Sequence, residues 1–240
     1  MGKQNGKLNV IFEDNHLLVI DKPPLLATMG SKAGQDSLYL QAKSYIKEKY
    51  NKPGNVFIGV VSRLDSFVSG TVVLARTSKA ASRLSQQFRD GSVQKTYWAI
   101  IPGNNSKVLT GQSIPRSGRL VDRVVKNEAQ HRMIVLPKSS PAVPGEKEAR
   151  LSYRTIGESN DQKLRLVEIE LETGRKHQIR VQFSNANCAI IGDKKYDSNI
   201  PFERGIALHS RRLTVQHPTK KVLQSFESPV PDCWRVERFQ

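Results

Sequence analysis

The chain has 240 residues, enough for one large domain or two small ones, and its 38 Lys and Arg against 22 Asp and Glu leave a net charge of +16. Such a charge attracts polyanions and makes nucleic acid the leading class of partner, with a merely basic soluble surface as the alternative. No apolar run approaches the ~20 residues that a membrane span requires. The N-terminus lacks an apolar signal segment, and the two cysteines, Cys188 and Cys233, have no partners at zinc-ligand spacing. We therefore expect a cytoplasmic protein with no metal site and no membrane association.

The first hundred residues alternate short strands and helices. Apolar patterns predict strands at 10–12 and 17–20, a buried strand at 56–61 and a strand at 71–75. A helix is predicted from an N-cap at Asp36 to about Tyr50, and a second helix from a cap at Ser78 to Gly91. A strand over 93–101 follows.

The rest of the chain is richer in strands. Residues 103–150, rich in Gly, Pro, Ser and basic residues, predict an elaborated basic loop region with short strands at 120–125 and 133–136. Further strands are predicted at 164–171, 206–208, 213–215 and 222–226, and a short helix at 177–184. Many strands, few helices and no βαβ rhythm predict an α+β fold: a largely antiparallel mixed sheet with a few flanking helices and long loops. We expect a single domain over 1–240, with 1–8 flexible.

Asp65 is the leading catalytic candidate. It is the only acidic residue between Lys49 and Arg89, a segment with seven basic residues. The segment 62–132 has twelve basic and four acidic residues, half of the total excess of positive charge. A carboxylate in such surroundings should stay ionised, which suits a nucleophile or a base. An Asp that caps a turn or pairs with an arginine is the alternative, and for an isolated Asp it is the more frequent one.

Two other segments carry polar groups that could bind a substrate. In 174–180, His177 and Arg180 share a face if the segment is helical, and that face could present donors to a phosphate or a carboxylate. A solvated basic helix with an apolar stripe fits the pattern equally well. On the strand at 93–101, Lys95 and Tyr97 share a face on which a base could stack, although a Tyr in a half-buried sheet is commoner. Phosphate-loop, dinucleotide, zinc-protease and nucleophile-elbow motifs are absent, so no nucleotide cofactor is expected.

Together these segments resemble the RluA-type RNA pseudouridine synthases. The segment 61–71, with Arg63-Leu64-Asp65 at its centre, is similar to the family's His-Arg-Leu-Asp-x-x-x-Ser-Gly signature. The other resembling segments, in family order, are 17–23, 94–99 (Gln-Lys-Thr-Tyr-Trp-Ala), 171–181 (Leu-Glu-Thr-Gly-Arg-Lys-His-Gln-Ile-Arg-Val), 192–196 (Gly-Asp-Lys-Lys-Tyr) and 208–218. The resemblance spans about 10–231, and six motifs in order are far more specific than any one of them. It implies the pseudouridine synthase fold.

The resemblance implies a role for each of five residues. Asp65 would be the catalytic aspartate of uridine isomerisation, and Arg180 would pair with it and hold it ionised. Tyr97 would stack on the flipped uracil, with Ile179 packed beside it. Arg63 would hold the place of the displaced nucleotide or contact its phosphate. The target base must leave its stack, which costs a few kcal/mol unless it already lies in a loop.

The resemblance also implies a monomer that needs no cofactor and acts on structured RNA, either 23S ribosomal RNA or transfer RNA. Lys95, Arg175 and His177 are further candidates for substrate binding. Ser62 stands where most members have His, and Ser66 where a basic residue is frequent; we hypothesise that both alter RNA contacts without abolishing the chemistry. A catalytically silent RNA-binding or ribosome-assembly protein on the same fold is the alternative function.

Overall fold

The computed structural model describes residues 8–30, 35–106 and 114–240. Its strands, in chain order, are β1 (Val10–Glu13), β2 (Leu17–Lys22), β3 (Gly59–Val60), β4 (Ser69–Ala75), β5 (Gln94–Pro102), β6 (Ser117–Asn127), β7 (Arg132–Val135), β8 (Lys147–Glu158), β9 (Leu164–Leu171), β10 (Leu208–Gln216) and β11 (Leu223–Glu227). Its α-helices are α1 (Leu38–Lys49), α2 (Ser78–Asp90) and α3 (Gln178–Asn185), and short 3-10 turns lie at Lys194–Tyr196, Asp232–Trp234 and Val236–Arg238.

The chain forms two compact units, one of Met1–Val93 with Arg212–Pro229, the other of Gln94–Arg211 with Val230–Gln240. Strand β10 contributes residues to both. The single domain expected over 1–240 stays a prediction. The flexible segment expected at 1–8 lies, apart from Leu8, outside the described residues, as does 107–113 of the expected basic loop region.

In the first unit, strand β2 is buried on both faces, with one hydrophobic core on each side. Strand β2 pairs antiparallel with both β1 and β4. Because neighbouring side chains of a strand point to opposite faces, Leu17 and Val19 pack with the core that contains α2, while Leu18 and Ile20 pack with the core that contains α1. Both faces are thus buried, which explains why this strand has a continuous apolar run instead of an alternating pattern.

The second unit is an antiparallel sheet in the order β5-β9-β8-β6-β7. Helix α3 packs on one face, where Phe183 meets Tyr153 edge-on and Val181 joins a core with Val124 and Ala149. The α+β class and the largely antiparallel sheet are confirmed. In the region 103–150, the short strands expected at 120–125 and 133–136 correspond to β6 and β7, and β6 is longer than expected because it pairs with β8 over eight positions.

Several predicted boundaries differ from the observed ones. The buried strand expected at 56–61 is reduced to Gly59–Val60, although Val56 and Ile58 do lie in the core. Helix α1 is capped by Ser37, whose hydroxyl accepts a hydrogen bond from the Leu40 amide, and not by Asp36. Helix α2 is capped by Thr77, one residue earlier than the expected Ser78. The strand expected at 213–215 is part of the longer β10 (Leu208–Gln216), and of the strand expected at 206–208 only Leu208 belongs to it.

Candidate active site

Asp65 lies in the loop 61–68 between β3 and β4 of the first unit. It is half-buried, and its backbone carbonyl accepts a hydrogen bond from the Val68 amide at 3.1 Å, which closes a turn just before β4. Two residues earlier, Arg63 is exposed, whereas Leu64 between them packs against the α1 core. The local sequence thus anchors the loop by one apolar side chain and leaves the arginine accessible to a ligand.

Two buried polar side chains fasten this loop to the segment after β2. The ammonium of Lys22, which has no exposed surface, donates to two carbonyls of the 23–26 turn at 2.8 Å each and to the Ser66 carbonyl at 3.4 Å. The Thr28 hydroxyl donates to the Leu64 carbonyl at 2.8 Å and accepts from the Leu64 amide at 3.1 Å. The backbone on either side of Asp65 is therefore held by side chains from a segment about forty residues earlier.

Lys22 also contributes to the electrostatics around Asp65. Burial lowers the pKa of Lys22 to about 7, against the opposing effect of the Asp65 and Asp21 carboxylates, which raise it. Sequence reasoning missed this residue, because Lys22 entered it only as part of the resembling segment 17–23. The available signal was a lysine two residues after the apolar run 17–20, at the end of the same strand.

Tyr97 lies on β5 in the second unit, half-buried and directly opposite Ile169 of β9. Lys95 occupies the same face of β5 and is buried, with 9% of its surface exposed. The neighbouring residues Thr96 and Trp98 donate hydrogen bonds on the other face, to glutamates of β9. The shared face expected for Lys95 and Tyr97 therefore follows from the observed strand.

Arg180 of α3 forms a buried ion pair with Asp193. Its Nε and Nη2 donate to the two carboxylate oxygens of Asp193 at 2.7 and 2.8 Å, and the two side chains are 5% and 1% exposed. The guanidinium also lies over the ring of Tyr196, 4.9 Å from its centre. This two-point geometry fixes the plane of the guanidinium, a rigidity that a lysine could not supply.

His177 precedes α3 as its N-cap, in the left-handed conformation with φ 53°, so it is not a helical residue as expected. Its Nδ1 lies 2.8 Å from the hydroxyl of Tyr196, which also accepts a hydrogen bond from the Met133 amide at 3.1 Å. His177 and Arg180 nevertheless meet the same tyrosine. Sequence reasoning noted Asp193 and Tyr196 only as parts of a family turn, and their contacts could not be read from spacing.

Gln178 holds the turn that leads into α3. Its side-chain oxygen accepts from the Thr173 hydroxyl at 2.8 Å and from the Arg175 amide at 2.9 Å, and its Nε2 donates to the Arg150 carbonyl at 3.0 Å. A buried amide that satisfies three partners fixes the backbone on which Arg175 stands. Sequence reasoning missed this role of Gln178.

The site residues divide between the two units. Asp65 and Arg63 lie in the first unit, and Tyr97, Arg180, Ile179, Arg175, His177 and Lys95 lie in the second. The pairing of Arg180 with Asp65, and the packing of Ile179 (4% exposed) beside Tyr97, stay predictions.

The described residues contain no group of three or more His, Cys, Asp or Glu side chains that could hold a metal ion. Within the same residues, no helix has the length and apolar character needed to cross a membrane.

Two solved human structures share this fold. RNA Pseudouridylate Synthase Domain Containing 4 superposes with a TM-score of 0.76 at 21% identity, over 96% of this chain and 92% of the other. RNA Pseudouridylate Synthase Domain Containing 1 gives 0.70 at 20% identity, over 96% and 87%. At these identities the likeness defines the fold, and this chain has the pseudouridine synthase fold.

Sequence comparisons identify the family. The RNA pseudouridylate synthase family model matches residues 16–185. The chain is 30% identical over 227 residues to an uncharacterized RNA pseudouridine synthase of Bacillus subtilis (strain 168), covering 94% of this chain and 70% of that protein. It is 32% identical over 248 residues to the ribosomal large subunit pseudouridine synthase D of Pseudomonas aeruginosa, covering 95% and 70%. The chain belongs to the RNA pseudouridylate synthase family, within its RluA type, and is an isomerase that acts on RNA.

Proposed function

We propose that Asp65 is the catalytic residue with which this enzyme converts specific uridines of structured RNA to pseudouridine. The reaction replaces a C–N glycosidic bond by a C–C bond at the same ribose, and a single carboxylate in a site that excludes water meets its chemical needs. The observation that carries the proposal is the half-buried Asp65 on a loop fastened at Leu64 and Ser66. A reacting group held in this way needs little reorganisation when substrate binds.

Four other residues complete the proposed site. Arg180 pairs with Asp65 and keeps it ionised, Tyr97 stacks on the flipped uracil, and Ile179 packs beside Tyr97. Arg63, which is exposed, takes the place of the displaced nucleotide or contacts its phosphate. His177 supports the site through Tyr196, since its Nδ1 is already engaged there.

Ribosomal or transfer RNA is the proposed substrate class, and the name of the Pseudomonas aeruginosa relative favours large-subunit ribosomal RNA. The net charge of +16 supports binding to a folded polyanion. We further propose that the enzyme is a cytoplasmic monomer that needs no nucleotide cofactor.

The alternative is a catalytically silent RNA-binding or ribosome-assembly protein with the same fold. The two functions differ in one measurable product. A silent protein binds RNA and leaves its uridines unchanged, whereas the enzyme forms pseudouridine at defined positions.

The test uses in vitro transcripts of large-subunit ribosomal RNA and of transfer RNA, which carry no modification. Wild-type protein should form pseudouridine at one or a few positions, and Asp65→Asn should lower the rate by about 10³-fold or more. Asp90→Asn is the matched control, since it removes the same charge at an exposed position on α2, and it should act like wild type. Because phosphate contacts dominate RNA affinity, Asp65→Asn should bind within about tenfold of wild type. RNA binding by wild type without any pseudouridine on either RNA would favour the silent protein.

A further inference from the structure

Lys95 is a lysine with a buried stem whose ammonium has no acceptor among the residues that the structure describes. It lies near the start of β5 with 9% of its surface exposed. Within residues 8–30, 35–106 and 114–240, its ammonium forms no hydrogen bond and no ion pair. The buried stem thus holds an ammonium that is accessible from solvent on the face of β5 that carries Tyr97, where it can bind an anion supplied by a ligand.

Arg175 places a second positive charge next to this lysine. Burial lowers the pKa of Lys95, and the charge of Arg175 lowers it further. Arg175 donates from Nε to the Glu148 backbone carbonyl at 2.8 Å, and no described carboxylate pairs with its guanidinium. Between them, a Cβ added to Gly174 would lie 3.8 Å from the Lys95 Nζ, so the exposed backbone of Gly174 passes close to the ammonium without covering it.

Two acidic residues close to Arg175 pair with other arginines: Glu172 is three residues earlier in the chain, and Glu148 accepts the Arg175 hydrogen bond through its backbone carbonyl. Glu172 pairs with Arg119 at 2.5 Å and with Arg150 at 3.2 Å. Glu148 also pairs with Arg150. Neither carboxylate is engaged with Lys95 or Arg175, and the local field between those two cations is positive.

We propose that Lys95 and Arg175 together bind one backbone phosphate of the RNA substrate. A phosphodiester oxygen gives the ammonium an acceptor, and the guanidinium supplies further donors to the same group. Lys95 and Tyr97 point to the same face of β5 about 7 Å apart along the strand. The phosphate is therefore that of the target nucleotide or of its immediate neighbour. This assignment rests on the proposed function, in which Tyr97 contacts the flipped base.

The salt dependence of RNA binding tests the proposal. Each phosphate contact contributes about 0.7 to 0.9 to the slope of log Kd against log salt concentration. Lys95→Met and Arg175→Met should each reduce the slope by about this amount or less, and the double variant by no more than one such contact, because both cations serve one phosphate. Lys163→Met is the matched control, since Lys163 is exposed and pairs with Asp161, and its slope should equal that of wild type.

Turnover separates a binding role from a chemical one. At saturating transcript of large-subunit ribosomal RNA, Lys95→Met should keep the wild-type rate while KM rises. An unchanged salt slope in the double variant, a double variant that loses two contacts, or a fall in kcat equal to the fall in kcat/KM would each overturn the proposal. If Lys95→Met fails to fold, Arg175→Met decides alone, because its side chain is only partly buried.

The same measurements separate failure of this proposal from failure of the proposed function. Reduced slopes without any pseudouridine from wild type would leave the phosphate site standing and remove the enzymatic role of Asp65. Pseudouridine formation with unchanged slopes would do the reverse.

Discussion

Replacing Asp193 by Asn should destabilise the second unit strongly, because it removes a negative charge that contacts the buried Arg180 guanidinium at two points. The two side chains are 5% and 1% exposed, and they share two hydrogen bonds of 2.7 and 2.8 Å. Asn keeps the shape of the side chain but turns one acceptor oxygen into an NH₂ donor, which then faces a guanidinium donor.

The expected loss in the free energy of unfolding is about 3–5 kcal/mol, the usual cost of removing one partner from a buried ion pair. An exposed pair gives a useful scale. Lys126 and Glu128 are 48% and 73% exposed at a separation of 2.6 Å. Solvent screens such a pair, so Glu128→Gln should lower the free energy of unfolding far less than Asp193→Asn does.

Urea unfolding followed by tryptophan fluorescence measures this loss where it occurs. Both tryptophans of the chain, Trp98 and Trp234, belong to the second unit, which also contains Arg180 and Asp193. The double variant Arg180→Met/Asp193→Leu should recover much of the stability lost by Asp193→Asn, because no charge is then left buried.

A loss for Asp193→Asn no greater than that for Glu128→Gln would refute this reasoning. So would a double variant less stable than Asp193→Asn, since the cost would then come from packing and not from an uncompensated charge. Under conditions where Asp193→Asn stays folded, its turnover should also fall, because Arg180 loses the contact that fixes its orientation.

Two further predictions concern pH. Burial holds the pKa of Lys22 near 7, below the value of about 10.4 that it has in the unfolded chain, so between these pH values the unfolded state binds more protons than the folded state. The free energy of unfolding should therefore rise with pH, by up to about 1.4 kcal/mol per pH unit relative to Lys22→Met. Urea unfolding of both proteins from pH 7 to 9 measures this difference. Burial raises the pKa of Glu13, but hydrogen bonds from Lys49, Tyr50 and Tyr45 and the charge of Arg76 outweigh it and leave the pKa lowered. Glu13→Gln should therefore lose about 2 kcal/mol at pH 7, and the difference from wild type should shrink as pH falls below about 4.3, the ordinary pKa of Glu.

Each pH prediction has a clear contrary outcome. Parallel stability curves for wild type and Lys22→Met from pH 7 to 9 would mean that the folded state keeps the ammonium as fully charged as water does. A constant difference between wild type and Glu13→Gln from pH 7 down to 3 would mean that the ionised carboxylate is not what its four partners stabilise.

Local sequence patterns determined much of the fold, because an element depends mainly on its own residues and their immediate neighbours. Gly91 was predicted to end α2 and does so at φ 72°, a conformation that glycine adopts without strain. The strand at 164–171 was predicted at its observed bounds. The exceptions have local causes too: Thr77 and Ser78 are both good capping residues, and only the backbone geometry chose between them.

The candidate site was predicted as a set of residue identities, since motif order and the charge around Asp65 are properties of the chain itself. Which atoms each residue contacts was decided by the tertiary structure. The carboxylate bound by Arg180 is that of Asp193, thirteen residues further on, and the carbonyl bound by Lys22 is that of Ser66, forty-four residues further on. The burial of Lys95 likewise depends on what packs over β5. Such contacts depend on strand register and on the paths of turns. They join residues that are far apart in the chain at no regular spacing, so the sequence alone could name these residues but not their partners.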